Sequence, residues 1–149
     1  MVHKYQTSMS LPVPVARVFA FFSDAANLPR ITPPDFGLQI TSPQPVLMQQ
    51  GTIIDCKIRL LGFPVPWQSL ISRWEPPHLF TDEQLRGPCK SWVHVHRFQE
   101  LSAGTVIEDE VEYSLPWPQI SELAHPLVRR QLRRIFHFRQ EAIKGILCA

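Results

Sequence analysis

The sequence predicts an α+β fold: a curved antiparallel sheet of six to seven strands wrapped around one long C-terminal helix, with one or two short helices after the first strand. Three observations carry that prediction. Strand-like segments separated by turn residues follow one another from Leu38 to Leu115, at the spacing of sequential antiparallel hairpins. The C-terminal region carries an apolar stripe at helical spacing through Val128, Leu132, Ile135, Phe136, Ala142, Ile143 and Ile146. Near the N-terminus, Val15, Val18, Phe19 and Phe22 recur at three and four residues, the spacing of a short amphipathic helix. A one-sided sheet and an amphipathic helix each need a cover for their apolar face, and wrapping the sheet around the helix covers both.

The elements follow in order. His3 to Met9, mixing Tyr, Thr and Met, reads as a first strand that Leu11-Pro-Val-Pro14 interrupts. A helix begins at Val15, with Pro14 suited to its first turn and Ser23-Asp24 closing it. Asn27 to Ile31 adds a second helical piece, ended by Pro33-Pro34. Strands are then expected over Leu38 to Ser42, Thr52 to Leu60, Pro66 to Trp74, Leu79 to Leu85, Ser91 to Leu101 and Thr105 to Leu115. Gln50-Gly51, Gly62-Phe-Pro64, Pro76-Pro77, Gly87-Pro88 and Ser102-Ala-Gly104 supply the turns. After Leu115-Pro-Trp-Pro118 the chain turns helical, and Pro126 predicts a break or a new start. A sheet this long gripping one helix does not close as tightly as a small barrel, so an internal cavity is expected.

A length of 149 residues with 44% hydrophobic and 19% charged positions suits one domain over residues 1–149. The 15 prolines against 6 glycines lie between periodic segments and punctuate the fold. A net charge of +2, without a basic block interleaved with stacking aromatics outside the C-terminal region, gives no case for nucleic acid. Cys56, Cys89 and Cys148 match neither a disulfide framework nor a paired metal motif, which points to reduced thiols in a cytoplasmic protein. Residues 1–10 lack an apolar signal core, and no uninterrupted apolar stretch is long enough to span a bilayer.

The segment with most chemistry is Trp92-Val-His-Val-His-Arg-Phe98. Alternation places Trp92, His94, His96 and Phe98 on one face of a strand and Val93, Val95 and Arg97 on the other. A turn over Arg86 to Lys90 pairs Leu85 with Ser91, setting Gln84 beside Trp92, Asp82 beside His94 and Phe80 beside His96. A four-residue loop from Ser102 to Thr105 then sets Phe98 beside Asp109, His96 beside Val111 and His94 beside Tyr113. One concave surface is thereby expected to hold Asp82, Gln84, Trp92, His94, His96, Asp109 and Tyr113, with Glu108, Glu110 and Glu112 on the solvent face. Two readings remain open: polar groups that orient or transform a ligand in a cavity, or a structural network in which each imidazole is satisfied by a neighbour. Trp67, Trp74 and Trp117 read first as edge packing, and Phe19, Phe22, Phe136 and Phe138 as core.

The opening strand, the Pro14 to Asp24 helix with Asn27-Leu-Pro29, Phe80-Thr-Asp-Glu-Gln84, Gly87-Pro88, Trp92 to Phe98, Gly104-Thr105, Asp109-Glu-Val-Glu-Tyr113 and the final helix together resemble the START-like, or SRPBCC, superfamily over nearly the whole chain. The likeness is greatest to its bacterial polyketide cyclase/dehydrase-like or CoxG-like ligand-binding branch. It implies a helix-grip fold and a small hydrophobic or lipid-like molecule held between sheet and C-terminal helix. Asp82, Gln84, Trp92, His94, His96, Asp109, Tyr113 and Phe136 would then be the contacts. It implies no cofactor, and because the superfamily is not generally metal-dependent it sets aside a metal on His94 and His96 with Asp82 or Asp109. Two alternatives stand beside the carrier: a cyclase or dehydratase with His94 or His96 moving a proton against Asp82 or Asp109, and a protein-interaction module of the same fold. Residues 126–149 carry Arg129, Arg130, Arg133, Arg134, Arg139 and Lys144 against the single acid Glu141. That run reads first as a solvated helix face. The alternative is peripheral contact with an anionic membrane through Arg129, Arg130, Arg133 and Arg134.

Overall fold

In a computed structural model describing residues 1–149, β1 (His3–Leu11) alternates exposed and covered positions along its length, as a strand with one wet face must. The chain then forms α1 (Val15–Phe22), which buries Val15, Val18, Phe19, Phe21 and Phe22. Two 3₁₀ turns follow, Ala25–Ile31 and Pro34–Phe36. The Asp24 side chain caps the first of these by accepting from the Ala26 amide at 3.0 Å, so Asp24 opens this turn as well as following α1.

Six further strands complete the sheet: β2 (Gln39–Ile40), β3 (Ile53–Leu60), β4 (Phe63–Glu75), β5 (Leu79–Arg86), β6 (Ser91–Leu101) and β7 (Gly104–Ser114). Their order across the sheet is β1-β7-β6-β5-β4-β3-β2, antiparallel throughout. β3 and β4 join through Leu61 and Gly62, both with positive φ, the two-residue geometry that follows strand twist. Pro64 and Pro66 therefore lie inside β4 and not in a loop. They are tolerated there because this end of β4 pairs only with β3 and runs past the end of β5.

The chain ends in α2 (Pro118–Leu147), which lies across the concave face of the sheet and gives the helix-grip arrangement. Its C-terminal half holds it in place through buried Leu132, Phe136, Ile143 and Leu147, each worth about 1.5–3 kcal/mol of transfer free energy. Its N-terminal half stands proud, with Ile120, Leu123 and Leu127 largely exposed beside Trp117. A continuous helix through Pro126 corrects the expected break. The proline lacks an amide to give to the Glu122 carbonyl, and it falls on an exposed turn where solvent reaches that carbonyl.

A second correction concerns β6 and β7. Leu101 pairs with Gly104, so the turn holds only Ser102 and Ala103, and the register moves by two residues from the four-residue-loop expectation. His94 faces Val111, His96 faces Asp109, Phe98 faces Ile107 and Trp92 faces Tyr113. A two-residue shift keeps every side chain on its face while changing its neighbour. Gly104 drives the shift: a Cβ there would lie 2.0 Å from the Leu11 carbonyl oxygen, so this glycine is consumed in close β1–β7 packing.

Candidate functional site

A cavity of about 1420 Å³ separates the sheet from α2. Ile54, Cys56 and Ile58 of β3, Trp67 and Ile71 of β4, and Phe80 of β5 form its sheet wall. Phe21, Phe22, Leu28 and Ile31 close one end, and Leu127, Val128, Leu132, Ile135 and Phe136 of α2 lie over it. The same inward alternation that makes the sheet one-sided supplies this apolar lining. Leu61 and Gly62 at the β3–β4 turn, Pro88 and Cys89 at the β5–β6 turn, and Leu127 on α2 mark its open side. Burial pushes the Cys56 and Cys89 thiols up to about 11, which leaves both protonated and unreactive at neutral pH.

The polar part of the wall is a crossed pair of acid–imidazole contacts. Asp82 faces His94 across β5–β6, yet its Oδ2 accepts from His96 Nε2 at 2.6 Å. Asp109 faces His96 across β6–β7, yet its Oδ1 accepts from His94 Nε2 at 2.7 Å. The direct-facing pairs are longer, 4.0 Å from His94 Nδ1 to Asp82 and 3.5 Å from His96 Nδ1 to Asp109. Between the two acids the imidazoles stack at 3.6 Å, and Phe80 extends the stack over His96 at 4.0 Å. Phe136 of α2 meets His94 edge-on at 5.5 Å.

Protonation follows from these contacts. Burial, then the neighbouring His94 charge, pulls His96 down to about 4 against the opposing carboxylates, so its ring is neutral at pH 7. Burial alone would raise the Asp109 carboxyl, but the His94 hydrogen bond and the charges of His94, Arg139 and His96 outweigh it and hold Asp109 at about 2. Asp82 behaves alike: burial pushes it up, and His96, His94 and Arg139 bring it below the ordinary range. His96 Nδ1 is left buried without a hydrogen-bond partner.

Asp82, Trp92, His94, His96 and Phe136 line the cavity. Gln84, Asp109 and Tyr113 do not, which corrects their expected place on its surface. Gln84 turns to the β5–β6 turn, donating to the Cys89 carbonyl at 2.7 Å and accepting from the Cys89 amide at 3.2 Å. Asp109 sits behind His94, and Tyr113 is fully buried with its hydroxyl 2.8 Å from His125 Nε2 on α2. Trp67 lines the cavity and meets Trp92 edge-on at 5.4 Å, while Trp74 packs against Phe19 and Phe80, and Trp117 is exposed.

One cavity residue escapes the motif reading. Arg139 lies three residues after Phe136 and four before Ile143, inside the buried stripe of α2, and it lines the cavity between the rings of Phe22 and Phe136. The available signal was its helical phase: a cation at a core position of an amphipathic helix, hidden among exposed arginines. As for a metal, Asp82, His94 and His96 bring ligand atoms within 4.8 Å of one another. Two histidines and a carboxylate make a known ligand set. Here, however, rings stacked face to face hold their in-plane lone pairs side by side, and both Nε2 atoms already meet carboxylates. The arrangement as built is a hydrogen-bond network.

With this geometry in hand, the likeness to known structures is informative. TTHA0849 from Thermus thermophilus superposes with a TM-score of 0.77 at 15% identity, covering 96% of this chain and 95% of that one. The di-domain ARO/CYC StfQ from the steffimycin biosynthetic pathway gives 0.76 at 14% identity, covering 99% of this chain and 51% of that one. Major latex-like protein 151 of Panax ginseng gives 0.72 at 11% identity over 99% of each. At such identities the likeness is one of fold. No curated protein matches the chain in sequence. Residues 11–138 match the family described as polyketide cyclase / dehydrase and lipid transport. The fold is shared with these structures, and over residues 11–138 the sequence itself shows that the chain belongs to the polyketide cyclase / dehydrase and lipid transport family.

Proposed function

We propose that the protein binds, stores or presents a small hydrophobic or lipid-like molecule in the cavity between its sheet and α2. The supporting observation is the cavity itself, about 1420 Å³ with mostly apolar walls and the Asp82–His94–His96 cluster among its polar groups. Apolar lining supplies affinity by removing ligand surface from water, and a few convergent polar groups set orientation. His94, His96 and Asp82 are the orienting groups and Trp92 and Phe136 the apolar ones. Native mass spectrometry of protein purified from its own host tests this reading. Retention of an apolar small molecule is expected; repeated recovery of empty protein that no lipid-like compound stabilises would count against it.

A catalytic reading draws on the same cluster, because imidazoles wired to carboxylates at a cavity wall are the parts of an acid–base device. It predicts turnover that collapses in His94→Ala with the fold intact, whereas a carrier keeps most of its binding.

Delivery to a membrane surface is the finer reading of the open side. Leu61, Phe63, Trp117, Ile120, Leu123 and Leu127 are all exposed, and Arg130 and Arg133 are exposed on α2. The other two arginines named for this role are engaged within the protein: Arg134 makes a two-point contact with Asp35, and Arg129 donates to the Lys4 carbonyl and covers the Tyr5 ring. No helix is long and apolar enough to cross a membrane. Co-sedimentation with phosphatidylserine vesicles at low salt, weakened by added salt and by Leu123→Glu, is the expected result. Absence of sedimentation at low salt removes this reading and leaves the cavity reading standing.

A further inference from the structure

Beside Phe22 and Phe136 the cavity wall carries a charge with no direct partner. Arg139 makes no hydrogen bond to any protein group and no ion pair, and its Nε is buried with no partner. The other charged groups on the cavity wall are placed differently. Asp82 accepts from His96, Asp35 and Arg134 hold each other, Asp24 caps the Ala25–Ile31 turn, and Arg59 and Arg130 are exposed. Arg139 is thus the half-buried ion on the wall that has neither a hydrogen bond nor an ion pair of its own.

A guanidinium keeps its charge at any working pH and presents five N–H donors in a planar fork. Solvent in an open cavity can meet the donors other than the buried Nε. A ligand that expels the solvent removes that support, and a pure hydrocarbon would leave several donors stranded in an apolar space, which is costly. A fitting ligand must therefore bring an acceptor to this point, and a carboxylate does so best because its two oxygens match the fork and its charge is opposite. The nearby acids, Asp82 and Asp109, act on Arg139 only at longer range, since each is bonded to an imidazole and neither forms an ion pair with the guanidinium.

We infer that Arg139 is a binding residue for the carboxylate of an amphiphilic monoacid whose apolar body extends along the cavity toward Leu61 and Leu127. The inference rests on the cavity-binding reading and names the ligand class that would satisfy it. Phe22 and Phe136, whose rings lie 5.8 Å and 5.9 Å from the guanidinium carbon, hold the side chain in place and keep the contact dry. Dry surroundings strengthen the ion pair and penalise a ligand that lacks the charge.

The test compares palmitic acid, hexadecanol and methyl palmitate on the full chain above neutral pH, by displacement of a fluorescent probe from the cavity. The acid is expected to bind roughly tenfold to hundredfold more tightly than the two neutral ligands. Arg139→Met, which keeps the apolar stem, should erase that preference by weakening palmitate binding relative to the two neutral ligands. Equal binding of all three by the wild-type chain overturns the carboxylate assignment but not the cavity reading, and so does a preference that survives in Arg139→Met. Binding of none overturns both. Should the Met variant fail to fold, the three-ligand comparison on the wild-type chain decides by itself.

Discussion

His94 and His96 stack at 3.6 Å between two carboxylates, and each acid binds the imidazole diagonal to the one it faces. Crossing the contacts ties β5, β6 and β7 together through side chains as well as ladders. Asp109 is only 5% exposed, so removing it strands a buried imidazole. Asp109→Ala should cost about 3–5 kcal/mol in denaturant unfolding at neutral pH, the range for breaking a buried pair from one side. An unchanged midpoint would show that the pair contributes nothing. The same groups set the response to acid. His96 titrates at about 4 in the folded protein against an ordinary 6.5, so between those values the unfolded chain takes up a proton that the folded one refuses, and stability falls as pH drops. Asp109, held at about 2 against an ordinary 3.8, adds a second loss below pH 3.8. Melting temperatures taken from pH 7 downward should decline first across the His96 window, and His96→Asn should flatten that portion; an unchanged slope in the variant would contradict the assignment.

Among the elements, β7 and α2 do most to shape the site. Gly104 has φ 153°, and a side chain there would strike the Leu11 carbonyl. Gly104→Ala should therefore lower stability by about 1–3 kcal/mol from backbone strain, with the steric clash in addition. A melting temperature within a degree of wild type would show that the β1–β7 contact yields easily. α2 divides its work at Pro126, with exposed Ile120, Leu123 and Leu127 near or before it and buried Leu132, Phe136, Ile143 and Leu147 beyond it. The proline weakens the helix where it overhangs the cavity and leaves intact the turns that anchor it.

For the whole molecule, the cavity has an energetic consequence. Space left between sheet and helix forfeits dispersion contacts that a filled core would make. A ligand that occupies it binds the folded state alone and must raise stability, by about 2.7 kcal/mol at a hundredfold excess over its dissociation constant. Thermal melts with a panel of long-chain amphiphiles should thus show a concentration-dependent rise for the compounds that fit. A panel with no rise at all would mean that the cavity does not take ligands of this class.

The order of strands and helices, the inward face of Trp92, His94, His96 and Phe98, and the Asp82–His94 register were legible in the sequence, because period, turn chemistry and strand pairing across a short turn are local properties. The β6–β7 register was not, since Gly104 looks like loop chemistry until β1 is seen to press against it. Nor was the retreat of Asp109 and Tyr113 behind the cavity wall, or the isolation of Arg139 on it. Those depend on which side chains from distant segments fill the space first, and packing among residues far apart in the chain is decided only when the sheet has closed over its helix.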